Sequence, residues 1–206
     1  MHVLLINGSP HEKGCTYTAL SLVAGELSAA GITTEILNVG TKPVGGCIGC
    51  GGCAKGNGCV FGGVVNEAIE KARTADAFVF GTPVHYASAS GNMTSFLDRL
   101  AYAGGKYLAY KPAAICASAR RAGTTSALDQ LVKYPEFFHM PLVSGSYWPM
   151  VHGSNPEQVL QDEEGCAVMK ELGRNMAWLL QCIEAGKAAG ISHPENPRRP
   201  MTNFIR

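Results

Sequence analysis

The chain lacks a surplus of charge of either sign: 17 Lys and Arg stand against 16 Asp and Glu, a formal net charge of +1 at pH 7. That excludes the electrostatic footprint of a nucleic-acid binder and any basic stretch aimed at a membrane. Charged residues reach only 16% against 46% hydrophobic, too apolar a balance for a disordered chain. No apolar run approaches the ~20 residues of a membrane-spanning helix. The opening MHVLLINGSP lacks the charged leader and small-residue cleavage site of a secretory signal, so the expected location is the cytoplasm. In that reducing compartment, eight cysteines point to metal or redox work rather than disulfide staples. Neither an internal repeat nor a dividing linker is found, and 206 residues suffice for one well-buried domain.

What is present is an alternation of strand and helix signals. HVLLIN (2–7) is a short apolar run ending at Gly8, the pattern of a strand buried on both faces. Residues 16–30 carry Leu20, Val23, Ala24 and Leu27 at helical spacing. TTEILNV (33–39) reads as an edge-side strand, 64–73 as a helix, AFVFG (77–81) as a central strand and 92–101 as a helix. AAICAS (113–118) reads as a strand, 124–134 as a helix and PLVSG (141–145) as a fifth strand. A long last helix is expected from Asn155–Pro156, with Asn155 as N-cap, to Gly186 or Gly190. The expected fold is α/β: a doubly wound, five-stranded parallel sheet with helices on both faces, over residues 1–190. The proline-rich end (191–206) is expected to be an extended tail, free or lying across a neighbouring subunit.

Ligands of such sheets bind beyond the carboxyl ends of the strands, so the loop leaving each strand decides the reading. After the first comes NGSPHEKGCTYT, with hydroxyls at Ser9, Thr16 and Thr18 and free N–H groups at the helix start, a natural phosphate seat. It is not a nucleotide-triphosphate loop: five residues separate Gly8 and Gly14, and Cys15 comes next. After the third comes GTPVHYASASGNMTSFLDR, where Val84, His85 and Tyr86 offer a flat apolar surface and small residues let a ring approach the backbone. After the fourth comes SARRAGTT, whose Ser118, Gly123, Thr124 and arginines could meet the ring's polar edge. A phosphate seat joined to two ring-holding loops fits a mononucleotide with a planar head, flavin mononucleotide.

Four stretches, INGSPHEKGCTYTAL, the cysteine run CIGCGGC…C, FGTPVHYASASGNMTSFLDRL and DEEGCAVMKELGRNMAWLL, carry a resemblance over nearly the full chain. The chain resembles the flavodoxin-like NADPH-dependent FMN reductases, most of all the branch that includes the iron–sulfur flavoproteins. The resemblance implies the strand order 2-1-3-4-5 and an FMN phosphate held by Ser9, Thr16, Tyr17 and Thr18. It implies an isoalloxazine lined by Pro83, Val84, His85, Tyr86 and Ser88, with Ser118, Arg120 and Gly123 closing the far side. It also implies a homodimer or homotetramer. The chain departs from the family at Cys15, beside the phosphate, and in FGGVVN after Cys59, where relatives often place aspartates.

CIGCGGCAKGNGC (47–59) holds Cys47, Cys50, Cys53 and Cys59, separated by two, two and five residues. The first three match the opening of a bacterial ferredoxin ligand run. Nine glycines between Gly45 and Gly63 let the chain wrap closely around a [4Fe–4S] cluster. A four-thiolate zinc site, a disulfide formed on purification and a loop of reduced thiols are the alternatives. Cys116, Cys166 and Cys182 read as small core residues.

The expected activity is an FMN-dependent oxidoreductase that takes hydride from NAD(P)H and passes electrons to a flavin, quinone, nitro or azo compound, or iron–sulfur acceptor. No protein acid or base is required, and His85 is the one catalytic candidate. Two alternatives of other classes stand beside it: an iron–sulfur electron carrier fed by ferredoxin without NAD(P)H turnover, and a zinc-stabilised binding module. The near-neutral charge argues against the carrier, since such proteins tend to be acidic. Trp148, within GSYWPMVHGS, is expected to lie just past the fifth strand and approach the ligand edge or form interface.

Overall fold

The structure, a computed structural model, describes residues 1–196 and 202–203; much of the expected tail lies outside the described residues. The elements run β1 (His2–Asn7), α1 (Cys15–Ala29), β2 (Thr33–Asn38), α2 (Val64–Thr74), β3 (Ala77–His85) and β4 (Ser88–Ala89). They continue with α3 (Gly91–Gly104), β5 (Ala113–Ala119), α4 (Thr124–Phe137), β6 (Met150–His152), α5 (Pro156–Val159) and α6 (Glu163–Ala188). The parallel strands are ordered β2-β1-β3-β5-β6, and β4 pairs antiparallel with β3 as a hairpin. With the two-residue β4 set aside, this is the predicted order 2-1-3-4-5, with β2 at one edge.

Alternation along each strand builds two cores. On one face Leu4, Ile6, Phe78, Phe80 and Ile115 meet apolar stripes of α2, α3 and α4, among them Ile69, Phe96 and Leu131. On the other, Val3, Leu5, Val79 and Cys116 meet α1 and α6 through Leu20, Val23, Met169 and Leu172. Both faces are covered, so the central strands read as continuous apolar runs.

Three expectations need correction. PLVSG reaches the sheet only as a bridge from Leu142 to Ala113; the chain then loops out and re-enters as β6, whose Met150 pairs with Ala117. The fifth strand is thus split, and Trp148 lies in the excursion before β6 instead of beyond its carboxyl end. The long last helix is also divided. Asn155 does cap α5, accepting from Gln158 N, but α6 starts anew at Asp162, which accepts from Gly165 N at 2.9 Å and from His152 N at 2.7 Å. A carboxylate serving both a helix start and the neighbouring strand sets the break. Finally, Cys182 is exposed, whereas Cys116 and Cys166 are buried as expected.

Candidate functional site

The first loop is organised from beneath by Asn7, fully buried at the end of β1. Its amide nitrogen donates to Asn38 Oδ1 at 2.8 Å and to Glu12 O at 3.2 Å, while its oxygen accepts from Ser9 N at 3.1 Å. Ser9 Oγ in turn accepts from His11 N. Gly14 caps α1 without any side-chain hydrogen bond, which leaves the N–H groups of the first turn for an anion. Gly8 permits a close approach: its N donates to Gly81 O, and a Cβ there would meet Met93 at 2.8 Å and the Gly81 carbonyl at 2.9 Å.

The three loops converge through specific contacts. Ser90 accepts from Met93 N as the cap of α3 and donates through Oγ to Gly8 O at 2.8 Å, tying the third-strand loop to the first. Thr82 Oγ1 accepts from Ser90 N. Thr16 Oγ1 lies 2.8 Å from Ser118 Oγ, both buried, which ties α1 to the end of β5. Between β3 and β4 the two-residue turn Tyr86–Ala87 has φ of 51° and 59°, a left-handed pair that non-glycine residues rarely adopt. Gln130 of α4 pins this hairpin through Ala89 N and Ser88 Oγ. Gly123, at φ +91°, packs so closely under it that a Cβ would lie 2.6 Å from Ala87 Cα.

All the residues expected to touch a flavin thus sit on one edge, though unequally disposed. Pro83, Val84 and Ser88 are half-buried, His85 and Arg120 exposed, and Tyr86 fully exposed. Tyr17 is half-buried, and the Thr18 hydroxyl donates to Gly14 O within its own helix. Sequence patterning does not single out Asn7, Thr82, Ser90 or Gln130. For Asn7 a signal exists: a polar side chain closing an apolar strand directly before the loop.

The cysteine loop lies beside this edge. Cys47, Cys50, Cys53 and Cys59 line one cleft of about 580 Å³, together with Asp98, Arg99 and Tyr102 of α3. All four are free thiols. Among the described residues no three His, Cys, Asp or Glu side chains are gathered closely enough to hold one ion. The donor set suits a cluster: four cysteines line one cleft, with left-handed glycines from Gly49 to Gly63 between and around them.

Helices reach into the loop to hold it. Asn92 accepts from Val44 N and donates to Lys42 O. Asn66 of α2 accepts from Cys59 N at 2.8 Å and donates to Cys59 O at 3.0 Å. Arg99, 6% exposed, donates from Nε to Cys59 Sγ at 3.1 Å and from its terminal nitrogens to Gly45 O and Gly62 O. These three anchors are equally invisible to local patterning. Cys116, by contrast, is an inert core thiol, its pKa pushed up to about 12 by burial.

A doubly wound sheet of this order, with its loops gathered at the carboxyl ends of the strands, defines the flavodoxin-like class. The structure of an archaeal flavodoxin superposes with a TM-score of 0.59 at 12% identity, covering 88% of this chain and 99% of that one. Residues 1–155 match the NADPH-dependent FMN reductase family, and the chain belongs to it. An iron–sulfur flavoprotein of Methanocaldococcus jannaschii is 26% identical over 192 residues, 89% of this chain and the whole of that one. Another, of Archaeoglobus fulgidus, is 30% identical over 175 residues, 83% and 86% of the two chains. By family membership the protein is an FMN-dependent oxidoreductase.

Proposed function

We propose that the protein binds FMN and oxidises NAD(P)H, and that Cys47, Cys50, Cys53 and Cys59 would hold a [4Fe–4S] cluster supplying electron transfer to a small-molecule or protein acceptor. The observation that carries the reading is the convergence of the loops after β1, β3 and β5 through the Ser90–Gly8, Thr16–Ser118 and Gly123–Ala87 contacts. FMN supplies hydride acceptance and one- or two-electron delivery when bound.

The chain's own residues do the rest. Ser9, Tyr17, Thr18 and the open N–H groups of α1 receive the phosphate, while Thr16, buried and bonded to Ser118, ties α1 to β5 beneath it. Pro83, Val84, His85, Tyr86 and Ser88 face one side of the ring, and Ser118, Arg120 and Gly123 close the other. The Gly123–Ala87 contact ties the two loops that carry these residues together. His85, exposed at the end of β3, is the group to test for proton handling. Four thiolates supply the cluster ligands, with named iron–sulfur relatives in support.

The exposed Tyr147–Trp148 pair and the apolar rim of Ile48, Val60 and Phe61 suit subunit contacts, and we assign the protein as a homodimer or homotetramer of the cytoplasm. Among the described residues no helix is long and apolar enough to cross a membrane.

The test is iron and acid-labile sulfide per FMN on protein purified without oxygen, then steady-state oxidation of NADH and NADPH. Stoichiometric iron, sulfide and FMN with NAD(P)H turnover is the expected result. Flavin and iron without turnover would leave the ferredoxin-fed carrier instead, and zinc without flavin the binding module.

A further inference from the structure

The cleft contains one feature that the cysteine motif does not explain. Arg99 is a buried cation whose partners are all neutral in kind: two carbonyl oxygens, one cysteine sulfur and the face of the Phe61 ring, 5.3 Å from the guanidinium carbon. Among the described residues no carboxylate lies within ion-pair distance of it. The adjacent Asp98, on the same cleft, makes no ion pair with it and accepts instead from Tyr134 Oη at 2.6 Å. A buried guanidinium without a counter-charge costs several kcal/mol of desolvation that carbonyl dipoles only partly offset. A chain that keeps it there has an anion for it to face.

Accepting the cluster reading above, on which this rests, we propose that Arg99 is the charge-compensating residue of the cluster and sets its reduction potential. A [4Fe–4S] core held by four thiolates is a net anion, and it gains a further negative charge with each electron it takes up. A fixed cation against a ligand sulfur stabilises the reduced form more than the oxidised one and raises the potential. An N–H donated to that sulfur acts in the same direction. The position is rigid. α3 is anchored at its start by Ser90 to Gly8 of the flavin edge, and Asn92, seven residues before Arg99 on the same helix, holds the entry to the cysteine loop. One helix thus spans both redox sites and presents the guanidinium to only one of them.

The test uses the full chain purified without oxygen, as wild type, Arg99→Lys and Arg99→Gln. Iron, sulfide and FMN contents are measured first. The cluster is then titrated with dithionite as the electron donor and monitored by its paramagnetic signal, with the flavin potential read in parallel by absorbance. In Arg99→Gln the cluster potential should fall, with the reduced-to-oxidised ratio at fixed potential dropping about tenfold, which is ~59 mV for a one-electron couple. Arg99→Lys should stay near wild type, and the FMN content and potential should not move. An intact cluster in Arg99→Gln at the wild-type potential overturns the proposal. If the Gln variant folds and binds FMN but assembles no cluster while the Lys variant does, the requirement for charge stands. Loss of the cluster in both, with FMN retained, makes Arg99 a loop-shaping residue and overturns the assignment. Wild-type protein that holds FMN but no iron even after reconstitution defeats the cluster reading itself, on unmutated protein.

Discussion

The flavin edge and the cysteine cleft lie side by side yet are built on opposite plans. At the flavin edge the functional loops are direct continuations of strands, and their ties join neighbouring strand ends: Asn7 beneath its own loop, Ser90 on Gly8, Thr16 on Ser118. The sheet positions the ligand contacts, and the loops have little freedom. The cysteine loop leaves the edge strand β2 and is glycine-rich and largely exposed. Its shape comes from three side chains, Asn66, Asn92 and Arg99, sent in from α2 and α3. A preformed seat suits a ligand that arrives complete, whereas a pliable loop suits a centre whose ligands close around it as it assembles.

The comparison breaks most decisively if either site cannot be removed alone. Cys50→Ser should abolish bound iron and sulfide while leaving FMN content at wild-type level; loss of both cofactors would show the sites to be one unit. Next in size is Gly123→Val, which combines a left-handed φ with a Cβ that meets Ala87 Cα at 2.6 Å. FMN affinity, measured by fluorescence titration, should fall tenfold or more while iron content is kept. Asn66→Ala leaves the Cys59 N–H unpaired and its C=O with Gly62 N alone, a cost of about 1–3 kcal/mol confined to the loop. Hydrogen exchange should quicken around residues 59–63 and leave β1 and β3 unchanged.

The smallest effect concerns the cysteines outside the loop. Burial raises the folded-state pKa of Cys116 to about 12 from an ordinary 9.0. Above pH 9 the unfolded chain therefore releases a proton that the folded chain retains, so stability falls as pH rises from about 9 towards 12. Denaturant unfolding should show a shallower alkaline decline in Cys116→Ala than in wild type. In the native protein at pH 8, iodoacetamide should label the exposed Cys182 before the buried Cys116.

Much of the fold was legible in the residues. HVLLIN and AAICAS are too apolar to face water on either side, so their burial between two helical layers is set by composition alone. The family was legible from its motifs, and so was the gathering of the loops after β1, β3 and β5 at one sheet edge. The split fifth strand was not, because PLVSG satisfies strand patterning although only Leu142 bridges to β5. Nor was the break before α6, where Asp162 reads locally as a solvated helical residue while in three dimensions it accepts from His152 N of β6. Tyr86 and Ala87 carry no glycine or asparagine to announce their left-handed turn; pinning of the hairpin by Gln130 holds it.

The sequence by itself determined the alternation of strands and helices, the sheet edge that carries the flavin loops, and the four thiols placed together. Those properties depend on spacing between near neighbours, which the chain carries locally. Only the tertiary structure decided which polar side chains are buried and against what. The partners of Arg99 lie 40, 54 and 37 residues away along the chain, and a cation that reads as solvated in sequence becomes buried because α2, α3 and the cysteine loop pack around it.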